Sequence, residues 1–158
     1  MRIGIGYDIH PLKRGRRLVL GGVTVPFHKG LDGHSDGDAL VHAIVDAVLG
    51  ASGSGDIGDL FSDSDPRTRG ADSFLFVKKT MQTLRRKKIK ILHIDSIVLA
   101  EAPHFGPYKE KMRKNIARAF GVPVARVGLK AKTNEGFGPV GRGQAIACQS
   151  VVLLKGKS

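Results

Sequence analysis

The run RIGIGYDIH, residues 2–10, alternates apolar side chains with small or polar ones. A period of two is the period of a strand, and it sends successive side chains to opposite faces. The chain therefore opens on a two-faced strand. Asp8 and His10, two residues apart at its end, share one of those faces. Arg17 to Gly21 and Val23 to Phe27 then read as a short hairpin around two glycines. In the next segment Leu40, Val41, Ile44, Val45 and Val48 recur at helical spacing. This predicts a first helix from Asp36 or Gly37 to Leu49, stopped by Gly50. The acidic, glycine-rich stretch 50–70 has no periodicity and reads as a long loop of the kind that is often functional. A second helix is expected from Asp72 or Ser73, either a plausible N-cap, to the basic run 85–88. Ile89 to Ala100 reads as a strand, and Gly106 to Phe120 as a third helix stopped at Gly121-Val122-Pro123. Arg126 to Thr133 and Gln144 to Leu154 read as strands. The order implies an α+β fold, a mixed β-sheet with helices packed on one face plus a short β-hairpin.

No Gly- or Ser-rich linker divides the chain, and 158 residues suit one domain over 1–158. At that length roughly 68–70% of the unfolded surface is buried, enough for a core without staples. No apolar run reaches about 18 residues, so no membrane-spanning helix is expected. The N-terminus has no signal-peptide pattern, and Cys148 is the only cysteine. A cytoplasmic location and a buried structural thiol are the expectations. The formal charge of +12, from 26 Lys+Arg against 14 Asp+Glu, favours anionic partners. The basic runs Lys13 to Arg17, Arg85 to Lys90 and Lys109 to Lys114 stand apart from the acidic HSDGDALVH and SGDIGDLFSDSDP. That separation suggests a cation-binding site on an otherwise basic surface. With aromatics at 6% and no Trp, a base-stacking platform is poorly supplied, so a nucleic-acid partner is not expected.

Three segments hold the chemistry. Asp8 and His10 form a pair of oxygen and imidazole ligands, and His42 is the leading third. Asp38 and Asp46, four residues either side of His42, share its helical stripe and are candidates to hold its second ring nitrogen. Three protein ligands leave a fourth tetrahedral position open, as catalytic zinc requires. A D-x-H at a strand end is equally at home solvated or capping. His34 lies just before the helix, where backbone N–H groups favour an anion, and Ser35 or Asp36 is the N-cap on the plainer reading. In AKTNEGFGPVGRG, Thr133 and Glu135 follow a strand and precede four glycines, which suit either a ligand-hugging loop or a simple turn.

Taken together, GYDIH, GLDGHSDGDALVHA, GDIGDLFSDSDPRTRGADS, AEAP and AKTNEGFGPVGRGQAIA occur in one order along nearly the whole chain. In that joint occurrence the sequence resembles the 2-C-methyl-D-erythritol 2,4-cyclodiphosphate synthase family of non-mevalonate isoprenoid biosynthesis. The resemblance implies a homotrimer with active sites between subunits. It implies zinc, or another divalent transition metal, on Asp8, His10 and His42, and magnesium or manganese on Glu135 with the substrate diphosphate. Substrate contacts are implied for Asp8, His10, His34 and Ser35, and for Asp56, Ile57 and Gly58 around the erythritol portion. A flap over the substrate is implied at Phe61, Ser62, Asp63, Ser64 and Asp65. Cytidine and diphosphate contacts are implied at Ala100, Glu101, Ala102, Pro103, His104, Phe105 and Gly106, and at Lys132, Thr133, Asn134 and Glu135. His34 and Thr133 fit the family's catalytic transition-state stabilisers.

The reaction so implied is attack of a 2-phosphate oxygen on the β-phosphorus of a diphosphocytidyl substrate, with CMP leaving. Arg142 in the family faces a cavity on the threefold axis. Here Pro139 and Gln144 depart from the residues usual beside it, which speaks against an isoprenoid diphosphate in that cavity. Arg69 and Ala145 replace the Lys and Gly usual in the family. His104 stands where Lys or Arg is frequent in the family, so a pH-sensitive grip on the nucleotide phosphate is the expectation. No cytidylyltransferase segment is attached, so a single activity is expected. Two other readings use the same residues: a metal-dependent phosphoesterase acting with water, and a basic module binding nucleic acid through 85–90 and 109–114.

Overall fold

The computed structural model describes residues 1–33, 35–61 and 72–156. The expected contacts at His34, Ser62, Asp63, Ser64 and Asp65 lie outside the described residues. In chain order the elements are β1 (Arg2–Arg14), β2 (Leu18–Leu20), β3 (Val23–Val25), β4 (Lys29–Leu31), α1 (Ala39–Ser52), α2 (Ile57–Leu60) and α3 (Phe74–Arg86). There follow β5 (Lys90–Leu99), α4 (Lys109–Phe120), β6 (Val127–Lys132), α5 (Gly138–Gly141) and β7 (Ala145–Lys155). Five strands form a mixed sheet in the order β4-β1-β7-β5-β6, and β2 and β3 pair apart from it. Among the described strands only β5 and β6 run parallel; β7 is antiparallel to both of its neighbours.

The alternation of β1 decides how the sheet is covered. Gly4 and Gly6 are buried, whereas Ile3, Ile5, Tyr7 and Ile9 are 73%, 64%, 54% and 40% exposed. A Cβ built on Gly4 would sit 1.9 Å from the Ala47 carbonyl oxygen, and one on Gly6 would sit 2.0 Å from that of Ala43. The even-numbered face thus accepts the backbone of α1 at a distance no other residue permits. α1 is apolar nearly all round, with Leu40, Ile44, Val48 and Leu49 at zero exposure, as suits a helix enclosed on every side. Ile94, Ile146, Val152 and Leu154 of the sheet meet it in one core with Met112, Ile116 and Phe120 of α4.

Boundaries depart from expectation in physically readable ways. The N-cap of α1 is Asp38, not Ser35 or Asp36: its carboxylate accepts from the N–H of Val41 and also from Gly21 and Gly22 of the hairpin turn. Such a fully buried acid needs all those donors. Gly50 does not stop the helix: it is not among the left-handed glycines, and α1 runs on to Ser52. The stop is Gly53, left-handed at φ 63°, whose N–H returns to the Gly50 carbonyl at 3.0 Å. β1 outruns its expected end and carries an edge strand, β4, too short to show a period. Within the expected loop, Asp56 and Asp59 form a reciprocal capping box that starts the one-turn α2. α5 lies in the glycine-rich segment that suits either a ligand-hugging loop or a simple turn. The third helix opens with a 3-10 turn, Gly106–Tyr108, before α4.

Candidate metal centre and the loops beside it

Beyond Gly4 and Gly6, the same face of β1 presents Asp8 and His10, and the first turns of α1 bring His42 over them. Asp8 Oδ2 lies 2.9 Å from His10 Nε2 and 3.0 Å from His42 Nδ1, and those two nitrogens are 3.4 Å apart. One ligand atom from each of the three residues falls within 4.8 Å of the others. All three side chains are largely but not fully enclosed. Burial acts to raise the Asp8 pKa, but its bonds to His10 and His42 outweigh that and hold the carboxyl well below the usual range. Burial acts to lower the His42 pKa, and the Asp8 carboxylate outweighs it, so the ring titrates above an ordinary histidine. An ionised carboxylate and two imidazole nitrogens converging on one point fit a divalent metal, zinc among them.

The expected helpers of His42 are not its partners. Asp38 is spent on the helix cap and the hairpin. Asp46, one turn further along α1, accepts from the Ile57 N–H at 2.9 Å and so fastens α2 to α1. Helical spacing put both acids on one stripe, but each was claimed by a backbone donor from elsewhere. What faces His42 Nε2 is a pair of hydroxyls, Ser73 Oγ at 2.9 Å and Ser35 Oγ at 3.1 Å. Ser73 does not cap α3 with its side chain; Asp72 accepts the Phe74 N–H instead. Phe76 of α3 packs edge-on against the His42 ring, and the buried Phe61 packs on Phe76. No local pattern marks Ser73 as a neighbour of His42; only the docking of α3 on α1 brings it there, where Asp36, just ahead of α1, bonds to it.

At the same end of the sheet the loops after β5 and β6 are stitched together. The Ala100 N–H donates to the Lys132 carbonyl at 3.0 Å, and Glu101 Oε1 accepts from the backbone of Asn134 at 2.7 Å and of Gly136 at 3.4 Å. Thr133 Oγ1 donates to Glu135 Oε1 at 2.7 Å, and Glu135 takes a left-handed φ of 49°. Lys132, Thr133, Glu135 and His104 are exposed, Ala102 and Pro103 are partly covered, and Phe105 is buried beneath them. Arg142 lies just beyond α5, its Nε 3.4 Å from Gln144 Oε1. Strand register places Ile9, Ala147, Leu99 and Lys132 in one row. Three steps of about 4.8 Å separate β1 from β6, so the Asp8 cluster and the Thr133 loop of one chain lie about 14 Å apart.

Fold and site together define an α+β protein organised around an Asp/His/His cluster of metal-binding type. The chain belongs to the YgbB family, which it matches over residues 1–155. It is 54% identical to the 2-C-methyl-D-erythritol 2,4-cyclodiphosphate synthase of Desulfosudis oleivorans, over 98% of this chain and 92% of that protein. Among solved structures, a 2C-methyl-D-erythritol-2,4-cyclodiphosphate synthase in its CDP-bound form superposes with a TM-score of 0.90 at 39% identity, covering 98% of this chain and all of that one. The bifunctional IspDF of Campylobacter jejuni superposes with a TM-score of 0.93 at 37% identity; it covers 99% of this chain, which spans 42% of its own length.

Proposed function

We propose that this chain is an enzyme of isoprenoid biosynthesis that converts 4-diphosphocytidyl-2-C-methyl-D-erythritol 2-phosphate to 2-C-methyl-D-erythritol 2,4-cyclodiphosphate and CMP. The observation that carries the reading is the meeting of Asp8, His10 and His42 at one point, in a chain that aligns end to end with synthases of that name. A 2-phosphate oxygen attacks the β-phosphorus, the bond from β-phosphorus to the bridging oxygen breaks, and CMP leaves with that oxygen. Nucleophile and electrophile belong to one molecule, so positioning and charge neutralisation are what the protein supplies. A protein nucleophile is not needed, and Cys148 is unsuited to be one: it is fully buried, and burial pushes its thiol well up.

Asp8, His10 and His42 would hold zinc, and Glu135 beside Thr133 would take magnesium or manganese at the diphosphate. Such ions polarise phosphoryl oxygens and neutralise the charge that develops on them. Around them Ser35, Asp56, Ile57, Gly58 and Phe61 fit the erythritol end. Ala100 to Gly106 and Lys132 to Glu135 fit the cytidine and its phosphates, with His34 and Thr133 gripping the reacting groups. A homotrimer with shared sites is part of the proposal. The apolar row Ile3, Ile5, Tyr7 and Ile9 is left bare by the helices, and about 14 Å divides the two halves of the site within one chain. The single buried thiol supports a reducing, cytoplasmic setting. None of the helices among the described residues is long and apolar enough to cross a membrane. Gln144 beside Arg142 leaves an isoprenoid diphosphate partner disfavoured.

Phosphorus NMR of the protein with the diphosphocytidyl substrate, zinc and magnesium tests the reading. Equal release of CMP and cyclic diphosphate, lost in His42→Ala, is the expected result. Hydrolysed phosphate in their place would establish the phosphoesterase alternative.

A further inference from the structure

Behind His42, away from Asp8, runs a chain of hydrogen bonds whose direction is fixed at its far end. Asp36 accepts from the Ser73 N–H at 3.3 Å and from the Asp38 N–H at 3.2 Å, and it makes a short bond with Ser73 Oγ. A carboxylate only accepts, so that short bond takes the one proton the Ser73 hydroxyl has. Ser73 is wholly buried, and its oxygen, 2.9 Å from His42 Nε2, then has only lone pairs to offer. A hydrogen bond there requires the proton on Nε2. Without a metal, Nδ1 lies 3.0 Å from the Asp8 carboxylate and bonds to it only as an N–H; with a metal on Nδ1, the single N–H of the neutral ring is on Nε2, where Ser73 accepts it. The opposite tautomer keeps the bond to Asp8, but it sets lone pair against lone pair at Ser73 and places a proton where the metal belongs.

Ser35 cannot do the same. Its hydroxyl, 3.1 Å from Nε2 and 3.3 Å from Ser73 Oγ, is not held by a carboxylate and can either donate or accept. We infer that Asp36 and Ser73 are positioning residues that accept the Nε2–H of His42 and so favour the tautomer whose Nδ1 can take the metal. This rests on the metal reading proposed above.

The test combines zinc affinity, by competition with a chromophoric chelator, with nitrogen-15 NMR of histidine-labelled protein. Ser73→Ala is expected to weaken zinc binding about 10- to 100-fold, the usual effect of removing a partner behind a ligand. Ser73→Thr, which keeps the hydroxyl, should restore most of that, and Ser35→Ala should lose less than Ser73→Ala. In metal-free protein at alkaline pH, where Asp8 draws the ring proton to Nδ1 and Ser73 draws it to Nε2, the share of the Nε2–H form is expected to be lower in Ser73→Ala than in wild type. Asp36→Asn provides a variant of the same shape, because an amide can donate to Ser73 as well as accept and so removes the direction of the chain. An unchanged tautomer in both variants, or a loss of affinity as large in Ser35→Ala as in Ser73→Ala, would overturn the inference. Wild type that binds no zinc would sink the metal reading, while the metal-free tautomer would still decide the role of Asp36 and Ser73.

Discussion

At the scale of single residues, identical side-chain types end in opposite roles according to what reaches them first. Asp8, Asp38 and Asp46 lie within one region, yet only Asp8 is given to the imidazoles. Asp38 serves three backbone N–H groups. Asp46 holds α2 through Ile57 at an electrostatic cost: burial, with the Asp56 and Asp8 carboxylates nearby, raises its pKa despite that N–H. A carboxyl that keeps its proton to higher pH when folded penalises folding once it ionises. The penalty is absent below the unfolded value near 3.9 and grows as pH rises through the folded one. Asp46→Asn retains the oxygen that accepts from Ile57 and removes the charge. In chelator-treated protein the variant should melt above wild type near neutral pH, with the gap closing toward about pH 3.9. A gap that widens on acidification would contradict this assignment.

At the scale of elements, the pairing of β1 with α1 is the determinant of the site. Two glycines let the helix backbone rest on the strand, and the same register, carried on by two steps of the strand, delivers His42 to Asp8 and His10. Gly6→Ala would drive a methyl into the Ala43 carbonyl, and backbone cannot swing aside as a side chain can. Overpacking of this kind costs about 1–3 kcal/mol. Because the helix that must lift is the one bearing His42, stability and metal affinity should fall together. Calorimetry and zinc titration of Gly6→Ala check this; a variant that melts lower but binds zinc as tightly would separate the packing from the site.

At the scale of the whole molecule, the sheet has one face sealed by helices and one bearing Ile3, Ile5, Tyr7, Ile9 and Val151 toward solvent. A row of apolar side chains of that extent on an isolated chain marks a contact surface. Ile5→Asp leaves the monomer fold intact, since that side chain touches none of the core. It should convert the proposed assembly of three 16.9 kDa chains into single chains by light scattering. Zinc binding should persist, because all three ligands lie in one chain. Turnover should be lost, because the Thr133 loop is about 14 Å from that cluster within the chain. Full activity in a proven monomer would refute the shared site.

The sequence by itself determined the periods and therefore the kinds of element. The alternation of residues 2–10, the apolar spacing of α1 and the glycine-bounded strands are local properties of side-chain direction, and each survives folding. It also determined the face shared by Asp8 and His10, since period two needs no partner to be read. The Asp8, His10 and His42 trio was legible because strand and helix geometry are both local, and the remaining choice of third ligand had few histidines to choose from. Where helices ended was less legible: Gly50 and Gly53 are alike in sequence, and the hydrogen bond back to Gly50 chose between them.

Tertiary structure alone decided which groups stand behind His42. Ser73 is 31 residues away in sequence, and no spacing rule connects it to α1. Asp38 and Asp46 had the right spacing and went elsewhere, because buried backbone donors of the hairpin and of α2 had to be satisfied and those carboxylates were within reach. The joining of Glu101 to the 134–136 loop is likewise a product of the parallel β5–β6 pairing. Ligand identity follows from pattern over a few residues, whereas the partners that orient a ligand follow from contacts between elements, which a linear pattern does not encode.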